Sequence, residues 1–306
     1  MKFKVFSKIR FFFLIYSVMI FSACHDSDKI EPEYGERTVL IYMAADNNLN
    51  KDGETNIKSI LKGMEQTAGR LVIYIDPRYD VPRLLTVKGG KGCRLDTLET
   101  YTEENSASPE VLARVVKEVQ KRYPASSYGL VLWSHGLGWV LPEYSFPGGY
   151  AMRLPDPDMP RTKYYAEDEH PGTTGKAYMD IREMAARLPG HFSFILWDVC
   201  FMGGIEVAYE LRNKTDYMIA SPAEVISDGF PYEKMMPLLW GGEEAMKQIC
   251  REYYNHYNKY QVNSLWRSAV VGLVKTEELE PLVAKVRTLL AGKTDYVRAW
   301  HYPLSK

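Results

Sequence analysis

Two side chains in this sequence of 306 residues have the types and neighbours that nucleophilic catalysis needs. His135 and Cys200 each lie just beyond a run of apolar residues. A thiol becomes a strong nucleophile once it loses its proton, and an imidazole can accept that proton and pass it to a leaving amine. Gly136, Gly203 and Gly204 leave the nearby backbone uncovered, so its N–H groups can stabilise an oxyanion. The pair predicts acyl-transfer chemistry; the alternative is that both are buried structural residues.

Apolar strands and amphipathic helices alternate along the chain around His135 and Cys200. Apolar residues follow one another along each strand without alternating with polar ones. This pattern is typical of a mainly parallel sheet covered by helices on both sides. In such sheets, ligands bind beyond the carboxyl ends of the strands, where both loops lie. Strands are predicted at 38–45, 71–75, 83–87, 128–133, 192–197, 216–220 and 268–275. Helices are predicted at 50–67, 109–123, 180–188, 204–211, 231–239, 243–259 and 276–291.

Charge and cysteine content exclude several classes of protein. The 38 basic and 39 acidic residues give a net charge of −1, so there is no basic excess to neutralise a nucleic acid. The four cysteines show no CxxC spacing, which gives no support to structural zinc or thioredoxin-type redox chemistry. A bridge between Cys93 and Cys250 has no support in the sequence.

Two segments resemble the clostripain-type cysteine peptidases, family C11 of the caspase-like clan CD. They are residues 133–139 (WSHGLGW) and 198–203 (DVCFMG), and the likeness extends in order over about residues 38–290. The resemblance implies an α/β fold, a caspase-like three-layer α/β/α sandwich with a mainly parallel central sheet. It also implies that His135 is the general base, that Cys200 is the nucleophile, and that the N–H groups of Gly136 and Cys200 hold the oxyanion.

The family also implies cleavage after arginine or lysine, which requires a carboxylate in the substrate pocket. Asp198 lies two residues before the cysteine, on the same face of the same strand, and matches the family's acidic pocket residue. Asp228 follows the strand that ends near residue 220, in the position of a second acidic pocket residue. The alternatives are a helix-start acid for Asp198 and a turn residue for Asp228.

Some members of this family cut themselves between the histidine and the cysteine. Here the loop at 140–177 offers four basic residues, of which Lys176, followed by Ala177, is the expected processing site; the others are Arg153, Arg161 and Lys163. We expect no cofactor. Glu167, Asp168 and Glu169 are candidate calcium ligands, because some relatives use calcium; the alternative is a solvated loop.

The N-terminus predicts export. Residues 1–23 combine four basic residues with an apolar run too short to span a bilayer, as in a signal peptide. Cys24 follows small residues as in the lipobox of bacterial lipoproteins, so it is the expected lipidation site; the alternative is a plain signal peptide with a chance cysteine. Residues 24–37 are polar and read as a flexible tether. The peptidase domain would be 38–306, with the completeness of its C-terminus left open.

These observations predict an exported cysteine endopeptidase, lipid-anchored to a bacterial membrane at the outer membrane or cell surface. Its partners would be that bilayer and polypeptides with basic residues. Two alternatives remain: a lipoprotein of the same fold that binds peptides or glycans without cutting, and another acyl-transfer enzyme on the same pair. The prediction requires His135 and Cys200 to emerge side by side at one edge of the sheet, with the sulfur outside the packed core.

Overall fold

The computed structural model describes residues 35–138, 166–169, 177–259 and 267–292. Eight strands form one sheet: β1 (Gly35–Ala45), β2 (Arg70–Pro77), β3 (Arg83–Lys88), β4 (Arg94–Thr100), β5 (Ala125–Trp133), β6 (Phe192–Asp198), β7 (Thr215–Ala220) and β8 (Gly272–Lys275). Their order across the sheet is β4-β3-β2-β1-β5-β6-β7-β8. The five central strands, β2, β1, β5, β6 and β7, pair in parallel, and antiparallel strands flank them on both sides.

Helices cover both faces of this sheet. They are α1 (Asn50–Met64), α2 (Pro109–Arg122), α3 (Ile181–Arg187), α4 (Ile205–Leu211), α5 (Tyr232–Met235), α6 (Glu243–Asn258) and α7 (Leu279–Leu290). Buried side chains of α2, α3 and α4 form one apolar cluster with the sheet, and those of α1, α5 and α6 form a second. Along β1, Tyr42 belongs to the first cluster and its neighbours Ile41 and Met43 to the second, which explains why the strand is apolar throughout. The predicted three-layer α/β/α sandwich is confirmed.

Three elements differ from the sequence prediction. Strand β4 was not predicted, because this edge strand is mostly exposed and has no apolar run. The strand expected at 268–275 is limited to Gly272–Lys275. Residues 35–37, assigned above to the tether, instead begin β1, where the Arg37 guanidinium donates hydrogen bonds to the carbonyl oxygens of Leu239 and Gly241.

Several predicted features fall outside the described residues: the signal peptide, Cys24, and the processing site at Lys176 with the other basic residues of its loop. Among the described residues, no helix is both long enough and apolar enough to cross a membrane.

Candidate active site

The sheet brings the two predicted catalytic loops together. Strands β5 and β6 are parallel neighbours, and Trp133 pairs with Asp198 at their carboxyl ends. His135 and Cys200 each follow that pair by two residues. The loops also touch further on, since a Cβ added to Gly138 would lie 2.5 Å from the carbonyl oxygen of Phe201. His135 and Cys200 therefore follow neighbouring strands at the same edge of the sheet.

Contacts with the end of β1, the strand on the other side of β5, fix the histidine. The Ser134 hydroxyl donates to the Ala44 carbonyl oxygen at 2.8 Å, which ties the end of β5 to β1. The next side chain, His135, is buried, and its Nε2 lies 2.5 Å from Oδ1 of Asn48. The sequence analysis did not single out Asn48. The feature that could have pointed to Asn48 is its position in the polar turn after β1, because β1 lies beside β5 in the sheet.

The backbone turn that carries the cysteine is strained. Phe201, the residue after Cys200, has a φ of +61°, in the left-handed region that bulky residues rarely adopt. Its N–H donates to the Ala223 carbonyl oxygen at 2.9 Å, and the Gly203 N–H donates to that of Ser221 at 2.8 Å. Both N–H groups are therefore engaged in this conformation.

The segment after β7 covers the sulfur of Cys200. We call residues 221–226 the cover segment. Its Val225 N–H donates to Sγ at 3.2 Å, and the Val225 carbonyl oxygen lies 3.7 Å from the same atom. Cys200 is 0% exposed as a result. The expectation of a sulfur outside the packed core is thus wrong for this conformation, since a substrate carbonyl can reach Sγ only if the cover segment moves.

The two acids expected in the substrate pocket lie in different environments. Asp198 is fully buried, and its Oδ2 accepts a hydrogen bond of 2.9 Å from the Tyr232 hydroxyl and one of 3.5 Å from the Phe230 N–H. Burial and the adjacent carboxylate raise the pKa of Tyr232, so its hydroxyl stays protonated and continues to donate. Asp228 is exposed, and its carbonyl oxygen accepts from Asn56 at 3.0 Å. In this conformation neither carboxylate lines an open pocket beside the sulfur.

The candidate calcium ligands are engaged by protein groups. Oδ2 of Asp168 accepts hydrogen bonds from the Ser106 N–H at 2.7 Å and from the Ser106 hydroxyl at 3.1 Å. Glu169 pairs with Arg78 at 2.6 Å. Asp168 is 1% exposed, so the solvated-loop alternative is wrong for it. Among the described residues, no three His, Cys, Asp or Glu side chains are grouped so that they could hold a metal ion.

Two further cysteines are free thiols with little nucleophilic character. Cys93 and Cys250 form no disulfide. Burial raises the pKa of Cys250 to about 11. The pKa of Cys93 is also raised, mainly by burial and to a smaller extent by the charge of Glu65. Both remain protonated at neutral pH, and Cys200 stands as the candidate nucleophile by its position just after β6.

Comparison with known proteins identifies the family of this chain. The family model described as the clostripain family matches residues 41–296. Clostripain from Hathewaya histolytica is 26% identical over 237 residues, which cover 67% of this chain and 42% of that protein. The chain therefore spans less than half of this curated relative.

Two crystal structures share the fold. One is a secreted C11 cysteine protease from Bacteroides thetaiotaomicron in complex with an irreversible peptide inhibitor, with 31% identity and a TM-score of 0.70 over 84% of this chain and 71% of that chain. The other is an inactive zymogen C11 protease from Parabacteroides distasonis, with 35% identity and a TM-score of 0.69 over 85% of this chain and 67% of that chain. Since the family model spans most of the chain and the described fold agrees with both structures, this chain belongs to the clostripain family of cysteine peptidases.

Proposed function

We propose that this protein is a cysteine endopeptidase that uses His135 and Cys200 to cleave peptide bonds after arginine or lysine. The observation that carries the proposal is the pairing of Trp133 with Asp198, which brings an imidazole and a thiol to the same edge of the sheet. Membership of the clostripain family supports it.

In the reaction, the Cys200 thiol passes its proton to the His135 imidazole, and the sulfur attacks the substrate carbonyl carbon. The N–H groups of Gly136 and Cys200 stabilise the oxyanion of the resulting tetrahedral intermediate. Its collapse breaks the C–N bond, and His135 returns the proton to the leaving amine. Water then hydrolyses the thioester, with His135 again accepting a proton.

The conformation described here is a latent one, because the cover segment blocks Sγ. Activation then requires the contacts of Val225 with Sγ and of Ala223 with Phe201 to be released. Self-cleavage at Lys176 is the proposed trigger, with the first cut made while the cover segment is transiently open. Its neighbour Ala177 is paired with Asp168 through two backbone hydrogen bonds of 3.0 and 3.2 Å, so a cut there frees one end of a segment anchored beside the active-site edge. The existence of a zymogen form in the Parabacteroides relative supports a latent state.

This step is tested by following the purified chain on a denaturing gel. Wild type should convert to two fragments with a new N-terminus at Ala177, and Cys200→Ala should stay intact. Lys176→Ala should also stay intact and latent, whereas the matched Lys163→Ala should be cut normally. A wild-type chain that reaches its full rate of peptide turnover while still uncut would refute self-processing as the trigger.

Specificity for basic residues is assigned to Asp198 and Asp228. Asp198 is held by Tyr232 and Phe230, which follow the cover segment in sequence, so displacement of that segment also changes the environment of this carboxylate. A carboxylate facing an arginine or lysine side chain stabilises it by charge and hydrogen bonding. Near an anionic thiolate the same carboxylate is unfavourable unless a cation lies between them.

We also propose that the chain is exported and anchored by lipid at Cys24, on the evidence of the lipobox-like sequence. Expressed in bacteria that process lipoproteins, wild type should partition with membranes and incorporate labelled fatty acid. Cys24→Ala should lose the label and leave the membrane fraction. Equal labelling of both proteins would contradict the assignment.

No metal cofactor is proposed for the reaction, since Asp168 and Glu169 are already held by Ser106 and Arg78. Dialysis against EDTA should therefore leave peptide turnover unchanged. If turnover is lost on dialysis and restored by calcium, the carboxylates at 167–169 hold a required ion and this part of the proposal is wrong.

The experiment that tests the function itself is a substrate panel. Purified wild-type protein is incubated with fluorogenic peptides ending in Arg, Lys, Asp or Gln, alongside Cys200→Ala and His135→Ala. We expect turnover of the Arg and Lys peptides by wild type alone. Turnover of none would favour a peptide-binding lipoprotein, and turnover of only the Asp or Gln peptides would refute the pocket assignment.

A further inference from the structure

We propose that Asn48 is a positioning residue for the reaction: its side-chain oxygen holds the Nε2–H of His135 and leaves Nδ1 as the atom that accepts the thiol proton. This inference rests on the proposed function and adds a residue to it. The observation is the contact of 2.5 Å between Asn48 Oδ1 and His135 Nε2.

The chemistry of the two groups decides the tautomer. With Oδ1 of Asn48 as the atom that faces the ring, the amide can only accept a hydrogen bond, so Nε2 carries the hydrogen. A neutral imidazole then has its lone pair on Nδ1. When His135 takes a second proton, the bond to Asn48 becomes charge-assisted and stronger, so Asn48 favours the imidazolium form. Asn48 thus both orients the ring and stabilises the protonated state that forms during the reaction.

The turn that carries Asn48 is fixed before any substrate arrives. The side chain of its neighbour Asn47 is fully buried and donates to the carbonyl oxygens of Ala44 at 3.0 Å and Glu167 at 2.7 Å. Its Oδ1 also accepts from the Leu49 N–H at 2.9 Å. These bonds clamp the backbone on both sides of Asn48, so its exposed side chain is held without a packing role of its own.

The same clamp reaches the histidine. The Ala44 carbonyl oxygen accepts from Asn47 on one side and from Ser134 on the other, so one backbone atom at the end of β1 ties both loops together. Asn47 is buried and Asn48 is exposed, and their roles differ accordingly. Asn47 builds the turn, and Asn48 faces the imidazole.

The test compares Asn48→Ala and Asn48→Asp with Lys51→Ala, an exposed residue of the first turn of α1 that has no part in the site. With the basic peptide that wild type cleaves, Asn48→Ala should lose about ten- to hundredfold in kcat, the worth of a hydrogen bond to a charged group, with little change in KM. Lys51→Ala should match wild type. An unchanged or increased kcat in Asn48→Ala would overturn the proposal.

The pH profile provides a readout that a purely structural role would not move. In the proposed mechanism His135 must be neutral to accept the thiol proton, so its ionisation sets the acidic limb of kcat/KM. If the imidazolium loses its acceptor, this acidic limb should shift to lower pH in Asn48→Ala. In Asn48→Asp the added carboxylate should move it to higher pH and restore part of kcat. Every other ionisable group at this edge is the same in all variants, so the opposite shifts would report position 48. Shifts in the same direction would contradict the proposal.

A second measurement does not depend on catalysis. The pKa of His135 can be followed by NMR in full-length protein with labelled histidine, using His135→Ala to assign the signal. We expect the pKa in Asn48→Ala to be lower than in wild type by about 1, which corresponds to the same hydrogen bond. An unchanged pKa would refute the proposal even if wild type proved inactive on every peptide. A lowered pKa in an inactive protein would instead leave Asn48 assigned and refute the peptidase function.

Discussion

At the scale of single residues, the carboxylate of Asp198 must serve two states of the protein. In the latent state it accepts a hydrogen bond from Tyr232 inside the core, and in the proposed active state it meets a cationic substrate. A buried carboxylate is stable only when it is well hydrogen-bonded or paired with a charge. Tyr232 supplies the first kind of partner, and an arginine or lysine side chain would supply the second.

The Asp198→Asn variant separates these two roles. The amide oxygen can still accept from Tyr232, so the fold should persist, but the negative charge is gone. We expect kcat/KM for Arg and Lys peptides to fall by about a hundredfold, in line with the loss of one partner of a buried charge pair. The measurement is steady-state kinetics, with circular dichroism to verify folding.

Asp228→Asn is the matched control, since this residue has the same chemistry but is exposed. A smaller loss of kcat/KM in Asp228→Asn than in Asp198→Asn would show that Asp198 contributes more to the specificity for basic residues. If Asp198→Asn keeps its full preference for basic peptides, the carboxylate at 198 is structural and the pocket must be sought elsewhere.

At the scale of elements, the site depends on two loops that touch. Gly138 has a φ of +67°, and a Cβ at this position would strike the Phe201 carbonyl oxygen of the cysteine turn. Glycine is therefore needed twice, once for the backbone conformation and once for the close approach.

Gly138→Ala should separate the two loops. We expect a loss of at least about tenfold in kcat/KM, because a displacement of the order of 1 Å at a catalytic pair has that effect or more. Gly92→Ala is the control: it has a comparable φ of +80° but nothing within 4 Å of the added Cβ. It should show only a small loss of stability in urea unfolding and normal activity. Equal activity in both variants would mean that the loop contact does not position the site.

The central elements could be predicted from the sequence because their apolar runs reflect burial on both faces of the sheet. The same logic placed His135 and Cys200 at one edge. It could not reveal that Val225 covers the sulfur, since that contact depends on how a loop 25 residues further along the chain folds back. Nor could it find Asn48, an exposed polar residue in a turn, whose role depends on β1 being the neighbour of β5. Strand β4 could not be predicted, because an edge strand needs no apolar run.

At the scale of the whole molecule, stability should depend on a buried acid at the end of β2. Burial raises the pKa of Asp76 to about 8, and the nearby charges of Glu103, Asp168 and Asp46 reinforce the shift. The usual value in an unfolded chain is about 3.9. Between these two values the folded state holds a proton that the unfolded state has lost, so this group lowers the free energy of unfolding as pH rises from about 4 to 8.

Asp76→Asn should remove that dependence. Relative to wild type, the variant should gain stability as pH increases from 5 to 8, by up to about 4 kcal/mol over three pH units. The measurement is urea unfolding at both pH values. Asp80→Asn, an exposed acid beyond the same strand, is the control and should show no such gain. A stability difference between Asp76→Asn and wild type that is the same at both pH values would show that Asp76 is ionised in the folded protein.

The central claim, that Cys200 is the nucleophile of a peptidase specific for basic residues, is tested most directly by covalent labelling. Processed protein is treated with peptidyl electrophiles ending in Lys, Arg or Asp, and the modified residue is located by mass spectrometry. We expect a single adduct on Cys200 with the Lys and Arg probes, none with the Asp probe, none in His135→Ala, and much slower labelling of the uncut latent chain. Labelling of Cys93 or Cys250 instead, or labelling of Cys200 by the Asp probe alone, would contradict it.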